Sequence, residues 1–266
     1  MTRKLLSILF IALLGFTGTC MATESGNGVK ADACKNVTIL SLRANVPIPP
    51  AKIVSRRDVN GVCEVILSIR GEFVPVYVGK NYVIAGEMFQ DRHQVTQAQL
   101  EKLKAERFLG LKPEVQRCVA MTLKPPAGKA VKHTVYMITD PVCPFCHRAE
   151  STLKELSSKY GAEFKMVFYS VHLPVGRQKA IEAVCRGLSA EDYLEGSWKK
   201  DNKQYQCAKG TELIKRSERL ARKLGVRGVP VFYLANGERV VGANIPALAR
   251  ALSEASRKAT KVSHAR

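Results

Sequence analysis

Cys143-Pro144-Phe145-Cys146 places two thiols two residues apart, a spacing that suits reversible dithiol–disulfide chemistry. The residues before it, 133–139 (His-Thr-Val-Tyr-Met-Ile-Thr), are β-branched and aromatic and read as a strand. Asp140-Pro141 breaks that run, and 149–160 reads as a helix. Cys143 therefore falls at a helix N-terminus, where unpaired N–H groups and the helix dipole favour an anion. A thiol with an ordinary pKa of about 8.5 can drop to roughly 3.5–7.5 in such a place. Cys143 is the expected attacking thiolate and Cys146, one turn further in, the resolving thiol. His147 and Arg148 add positive charge nearby.

Three other chemistries share this spacing. A purely structural disulfide is the simplest. Zinc needs a second ligand pair, which the widely separated Cys185 and Cys207 do not form. Cys143-x-x-Cys146-His147 also spells a c-type haem attachment sequence. The strand-to-helix setting and a Gly228-Val229-Pro230 segment downstream favour the redox pair over haem. No metal and no cofactor is expected.

Residues 1–22 read as a secretory signal: Arg3 and Lys4, then an apolar run over 5–16, then a small-residue cleavage site ending at Ala22. The run falls short of the roughly 18–20 residues that a membrane span needs. Eight cysteines less Cys20 of the signal leave seven, and in an oxidising compartment most of these should pair, Cys143/Cys146 being the redox pair. Cys34/Cys63 and Cys185/Cys207 are the natural pairs within their regions, and Cys118 is left over, although the spacing leaves other connectivities open. The net charge is +19. The basic residues lie mainly on helix faces and in the tail, without interleaved aromatics, which argues against a nucleic-acid partner.

The chain is long enough for two modest domains. Residues 23–35 are small and polar. Residues 36–91 look β-rich, with strands at 62–69, 72–78 and 82–89 separated by Arg70-Gly71 and Gly79-Lys80-Asn81. Pro75 belongs on an edge or at a bulge. A helix over 96–111 carries a Thr96-x-x-Gln99 capping box and ends at Pro113, with a short helical stretch at 114–121. Lys124-Pro125-Pro126-Ala127-Gly128 is a linker signal. The expected organisation is a signal at 1–22, a β-rich N-terminal domain at 23–95, a linker helix and linker at 96–130, and an α/β (α+β) domain at 131–266. The last domain reads β-α-β, a helical insert anchored by Trp198, a β-β hairpin around Asn236-Gly237, and a closing helix over 245–255. His93, His133 and His172 read as ordinary surface or strand-end residues.

The last domain resembles the thioredoxin fold: Cys143-Pro144-Phe145-Cys146 matches its redox motif and Gly228-Val229-Pro230-Val231 its cis-proline loop. More of the chain is similar to periplasmic disulfide isomerases of the DsbC/DsbG type, through 83–89 (Val-Ile-Ala-Gly-Glu-Met-Phe), 139–147 and 224–230 with Asn236-Gly237. The resemblance implies a thioredoxin fold with a helical insertion, a dimerisation domain in front, and a structural disulfide at Cys185 and Cys207. Cys34 and Cys63 lie outside the family pattern and form a possible second disulfide. It implies a substrate-binding role for Val229 and Pro230. It also implies a homodimer with chaperone activity, misfolded disulfide-containing exported proteins as clients, and a membrane electron donor of the DsbD type. Pro144 matches DsbG as well as DsbA-type oxidases and Val229 matches the oxidases, so a net thiol oxidase is the alternative. A non-catalytic chaperone or metal-binding thioredoxin-like protein is a further one.

Overall fold

The computed structural model describes residues 32–197 and 205–264. The signal segment, its cleavage site and Trp198 lie outside the described residues.

Four strands form an antiparallel meander: β1 (Lys52–Val59), β2 (Val62–Ile69), β3 (Glu72–Val78) and β4 (Val83–Ala85). Its first two turns use Asn60-Gly61 and Arg70-Gly71, all four with positive φ, the geometry that matches strand twist in tight hairpins. β2 is buried on both faces. On one face Val65 and Leu67 pack with Leu42 of α1 (Ile39–Asn45) and with the Cys34–Cys63 disulfide. On the other, Ile66 meets Leu100 and Leu103 of α2 (Val95–Arg117). Pro75 aims its backbone away from β2, its carbonyl accepting from the Gly86 N–H at 3.3 Å. The missing proline N–H therefore costs the β2–β3 ladder nothing.

Several local expectations give way to long-range packing. Neither α1 nor β1 is evident from the sequence; β1 alternates half-buried and exposed residues that are mostly polar or charged. The strand expected over 82–89 is only Val83–Ala85, followed by the small β5 (Phe89–Gln90) and β6 (His93–Gln94) ribbon. The Thr96 capping box does not form. Gln94 is the N-cap, and the buried Thr96 hydroxyl accepts from the Met88 N–H at 2.6 Å and pairs with the Tyr77 hydroxyl. Nor does Pro113 end the helix. Its ring is exposed, as is Leu109, whose carbonyl lost its helical donor and can be hydrated. Phe108 and Val115, buried on either side of Pro113, hold the helix together.

A second sheet has the order β11-β10-β8-β9-β7, comprising β7 (Met121–Leu123), β8 (His133–Thr139), β9 (Ala162–Phe168), β10 (Val231–Leu234) and β11 (Arg239–Val241). Only β8 and β9 are parallel. One face is covered by α4 (Leu153–Tyr160) and α8 (Ile245–His264), the other by α7 (Ala208–Leu224) and the end of α2. Segment 96–130 is thus not all linker, because β7 pairs with β9 and Phe108 of α2 stacks on Tyr233 at 4.5 Å. The helix expected over 149–160 is two: α3 (Pro144–Glu150), then α4 after a break at Ser151-Thr152. The insert holds α5 (Val175–Cys185) and α6 (Ala190–Leu194), and the Cys185–Cys207 disulfide ties α5 to the start of α7. The closing helix is longer than expected, Ile245–His264.

Candidate redox site

β8 delivers the site. Its last residue, Thr139, is followed by a turn in which the Cys143 N–H donates to the Asp140 carbonyl at 3.1 Å. Cys143 is the N-cap of α3 in extended conformation, and Pro144 takes the first helical turn, where a missing N–H costs nothing. Cys143 makes no capping bond. Its Sγ lies 3.8 Å from the Val229 carbonyl oxygen, and the Val229-Pro230 peptide is cis. Both thiols are free; Cys143 retains 3% exposure and Cys146 none. The Cys146 Sγ accepts from the Asp140 N–H at 3.5 Å. Burial above all pushes the Cys146 thiol far up, and the neighbouring Cys143 and Glu150 groups act in the same direction. Cys146 is therefore held as a neutral thiol until its environment changes.

Two buried carboxylates frame the pair, and neither stood out in the sequence. Glu150, on α3, accepts from the Thr139 hydroxyl at 2.7 Å and the Tyr193 hydroxyl at 3.0 Å. Burial raises its pKa despite both bonds. Its spacing four residues after Cys146 puts the two on one helix face, a signal that was available. Asp140 is fully buried. Its Oδ1 accepts from the Val142 N–H at 3.1 Å, and its Oδ2 from the Val171 and His172 N–H groups at 2.8 and 3.0 Å and from the His172 ring at 3.0 Å. His172 is thus no ordinary surface residue: it helps pin loop 171–174 to the cysteine turn. That loop contains a second cis peptide, Leu173-Pro174, and exposes Val171 and Leu173, as the start of α5 exposes Val175 and α3 exposes Phe145.

The His147 Nε2 lies 2.6 Å from the Pro141 carbonyl, so that nitrogen carries the proton and donates. Arg148 is exposed, its guanidinium 5.4 Å from the Phe145 ring centre. Both disulfides and the free, buried Cys118 lie outside the contacts that build the site.

A dithiol at a strand–turn–helix junction, facing a cis-proline across a sheet covered by helices on both faces, is the arrangement of thioredoxin-fold dithiol proteins, whose chemistry is thiol–disulfide exchange. The chain belongs to the family described as a Thioredoxin-like domain, which matches residues 123–256. It is similar to a probable thiol:disulfide interchange protein DsbC of Bordetella avium (strain 197N), with 28% identity over 159 residues, 60% of this chain and 53% of the relative. The chain thus spans about half the length of that relative. Among solved structures, Helicobacter pylori DsbG gives a TM-score of 0.40 at 18% identity, covering 69% of this chain and 93% of that one. The thiol-disulfide exchange protein alpha-DsbA2 of Wolbachia pipientis gives 0.48 at 15% identity, covering 58% and 96%.

Proposed function

We propose that this chain is a periplasmic thiol–disulfide oxidoreductase that works as a protein disulfide isomerase and reductase on exported proteins. The observation that carries the reading is the Cys143 sulfur beside the Val229 carbonyl and Pro230, with Cys146 buried behind it. An extended client segment pairs with the Val229 backbone and brings its disulfide to Cys143. The Cys143 thiolate attacks one client sulfur, forming a mixed disulfide and releasing the other client sulfur as a thiolate. That thiolate then attacks another disulfide, which rearranges the client. Otherwise Cys146 loses its proton and displaces the client from Cys143, leaving the client reduced and Cys143–Cys146 oxidised. The exposed Phe145, Leu173 and Val175 offer apolar contact to unfolded segments. The β1–β4 sheet serves as the dimerisation unit, two catalytic units then facing a shared cleft with chaperone activity. A membrane electron donor keeps the pair reduced.

Pro144 and Val229 favour a second reading, a net oxidase. Reactivation of scrambled ribonuclease in a glutathione buffer separates the two. The isomerase reading expects reactivation that is lost in Cys143→Ser. No reactivation, with fast oxidation of reduced ribonuclease by the disulfide form, would replace it with the oxidase.

A further inference from the structure

The tip of the β2–β3 hairpin rests on the loop that leads to Val229 and Pro230. Backbones meet closely there. A Cβ on Gly71 would lie 2.4 Å from the Arg222 carbonyl oxygen, and one on Gly225 would lie 2.6 Å from the Gly71 carbonyl oxygen. Arg107 of α2 donates to the Gly71 carbonyl at 2.5 Å and lies 3.5 Å from the Phe73 ring centre. Arg227 pairs with Glu72. Beneath this contact is a cavity of about 360 Å³, lined among others by Glu72, Phe73, Lys104, Arg107, Arg227 and Arg239.

Its charges do not balance. Lys104 and Arg239 share one carboxylate, Glu101, at 2.8 and 3.0 Å. Arg227 has Glu72. Arg107 has only a carbonyl and a ring, with no carboxylate partner among the described residues. Burial lowers its pKa, as expected for a guanidinium short of counter-charge. The buried Nε of Arg239 has no hydrogen-bond partner. The Tyr233 phenol, which faces both arginines, is kept neutral by burial. Four cations therefore face two carboxylates, and two guanidinium groups keep donor capacity in a partly open recess whose Arg239 and Lys104 side chains are largely covered and whose Arg227 is exposed.

We propose that this cavity binds a small oxyanion, a carboxylate or a phosphate group, with Arg107 as the principal contact. A bound anion would bridge the hairpin, α2 and the 224–228 loop, and so fix the loop that presents Val229. The group can come from a free ion or from an acidic side chain of a client whose cysteine reaches Cys143.

The test is calorimetric titration of inorganic phosphate into the full mature chain at low salt. One saturable site is expected, weakened about tenfold or more by Arg107→Gln, the worth of one charge-assisted hydrogen bond. Arg219→Gln, an exposed cation elsewhere on α7, should leave binding unchanged. Should Arg107→Gln fail to fold, Lys104→Gln asks the same question from the cavity wall. Absence of saturation below about 10 mM phosphate, or affinity unmoved by the cavity variants that fold, would overturn the proposal. Failure of the thiol chemistry would leave this readout intact. A cysteine peptide carrying Glu, compared with its Gln counterpart, then identifies the source. Faster mixed-disulfide formation for Glu, lost in the cavity variant, supports a client side chain; equal rates with phosphate bound support the free ion.

Discussion

Asp140→Asn is the sharpest probe of how the site is held. The carboxylate is fully buried and receives four hydrogen bonds, three on Oδ2 and one on Oδ1. It has no room to shift, because a Cβ on Gly176 would already lie 2.5 Å from Oδ1. An asparagine oriented to keep its oxygen at the Oδ2 position would turn its NH₂ group toward the Val142 N–H. That orphans one buried donor, at about 1–3 kcal/mol. The other three bonds lose their charge assistance, about 1 kcal/mol each. The lower desolvation cost of a neutral amide offsets part of this. The expected loss is about 3–4 kcal/mol. With a urea slope of about 2 kcal/mol/M, the midpoint should fall by roughly 1.5–2 M while the slope stays constant. The comparison should be made with the dithiol reduced, so that redox state does not enter. Loop 171–174 should also become a preferred protease site in the variant. A loss below about 1 kcal/mol would refute the reasoning, showing that the cysteine turn and this loop hold together without the carboxylate.

Glu150→Gln tests the second carboxyl. A raised acid pKa means that its contribution to stability is complete below the ordinary value of 4.5 and is lost as pH rises through the folded-state value. Glutamine keeps an acceptor for Thr139 and Tyr193 but cannot ionise. Urea unfolding between pH 4 and 8 should therefore show a smaller decline in the variant, and identical pH profiles would contradict this reading. Phe108→Ala should cost about 3–5 kcal/mol, because the ring is fully buried, stacked on Tyr233 and edge-on to Tyr136. A cost under about 1 kcal/mol in denaturant unfolding would mean that the end of α2 is a linker and not part of the second core.

Sequence alone determined what local spacing can encode. The apolar run 133–139, the dithiol after it and Gly228-Val229-Pro230 are each written in consecutive residues, as is the Asn236-Gly237 hairpin. Each can be read without knowing what it packs against. The tertiary structure decided the rest. α2 runs through Pro113 because Phe108 and Val115 are buried on both sides of it, and non-local packing outweighs a local breaker that sits on the solvent face. Thr96 gave up its cap for Tyr77 and Met88. β7, three residues long, has no periodicity to detect and exists because β9 offers it a partner. Asp140 reads as a turn residue until His172, 32 positions away, is brought to its carboxylate. Arg107 reads as one more helix-face cation until the Gly71 turn closes over it. In each case the deciding contact joins residues far apart in the chain, and burial fixes its worth, which no local window records.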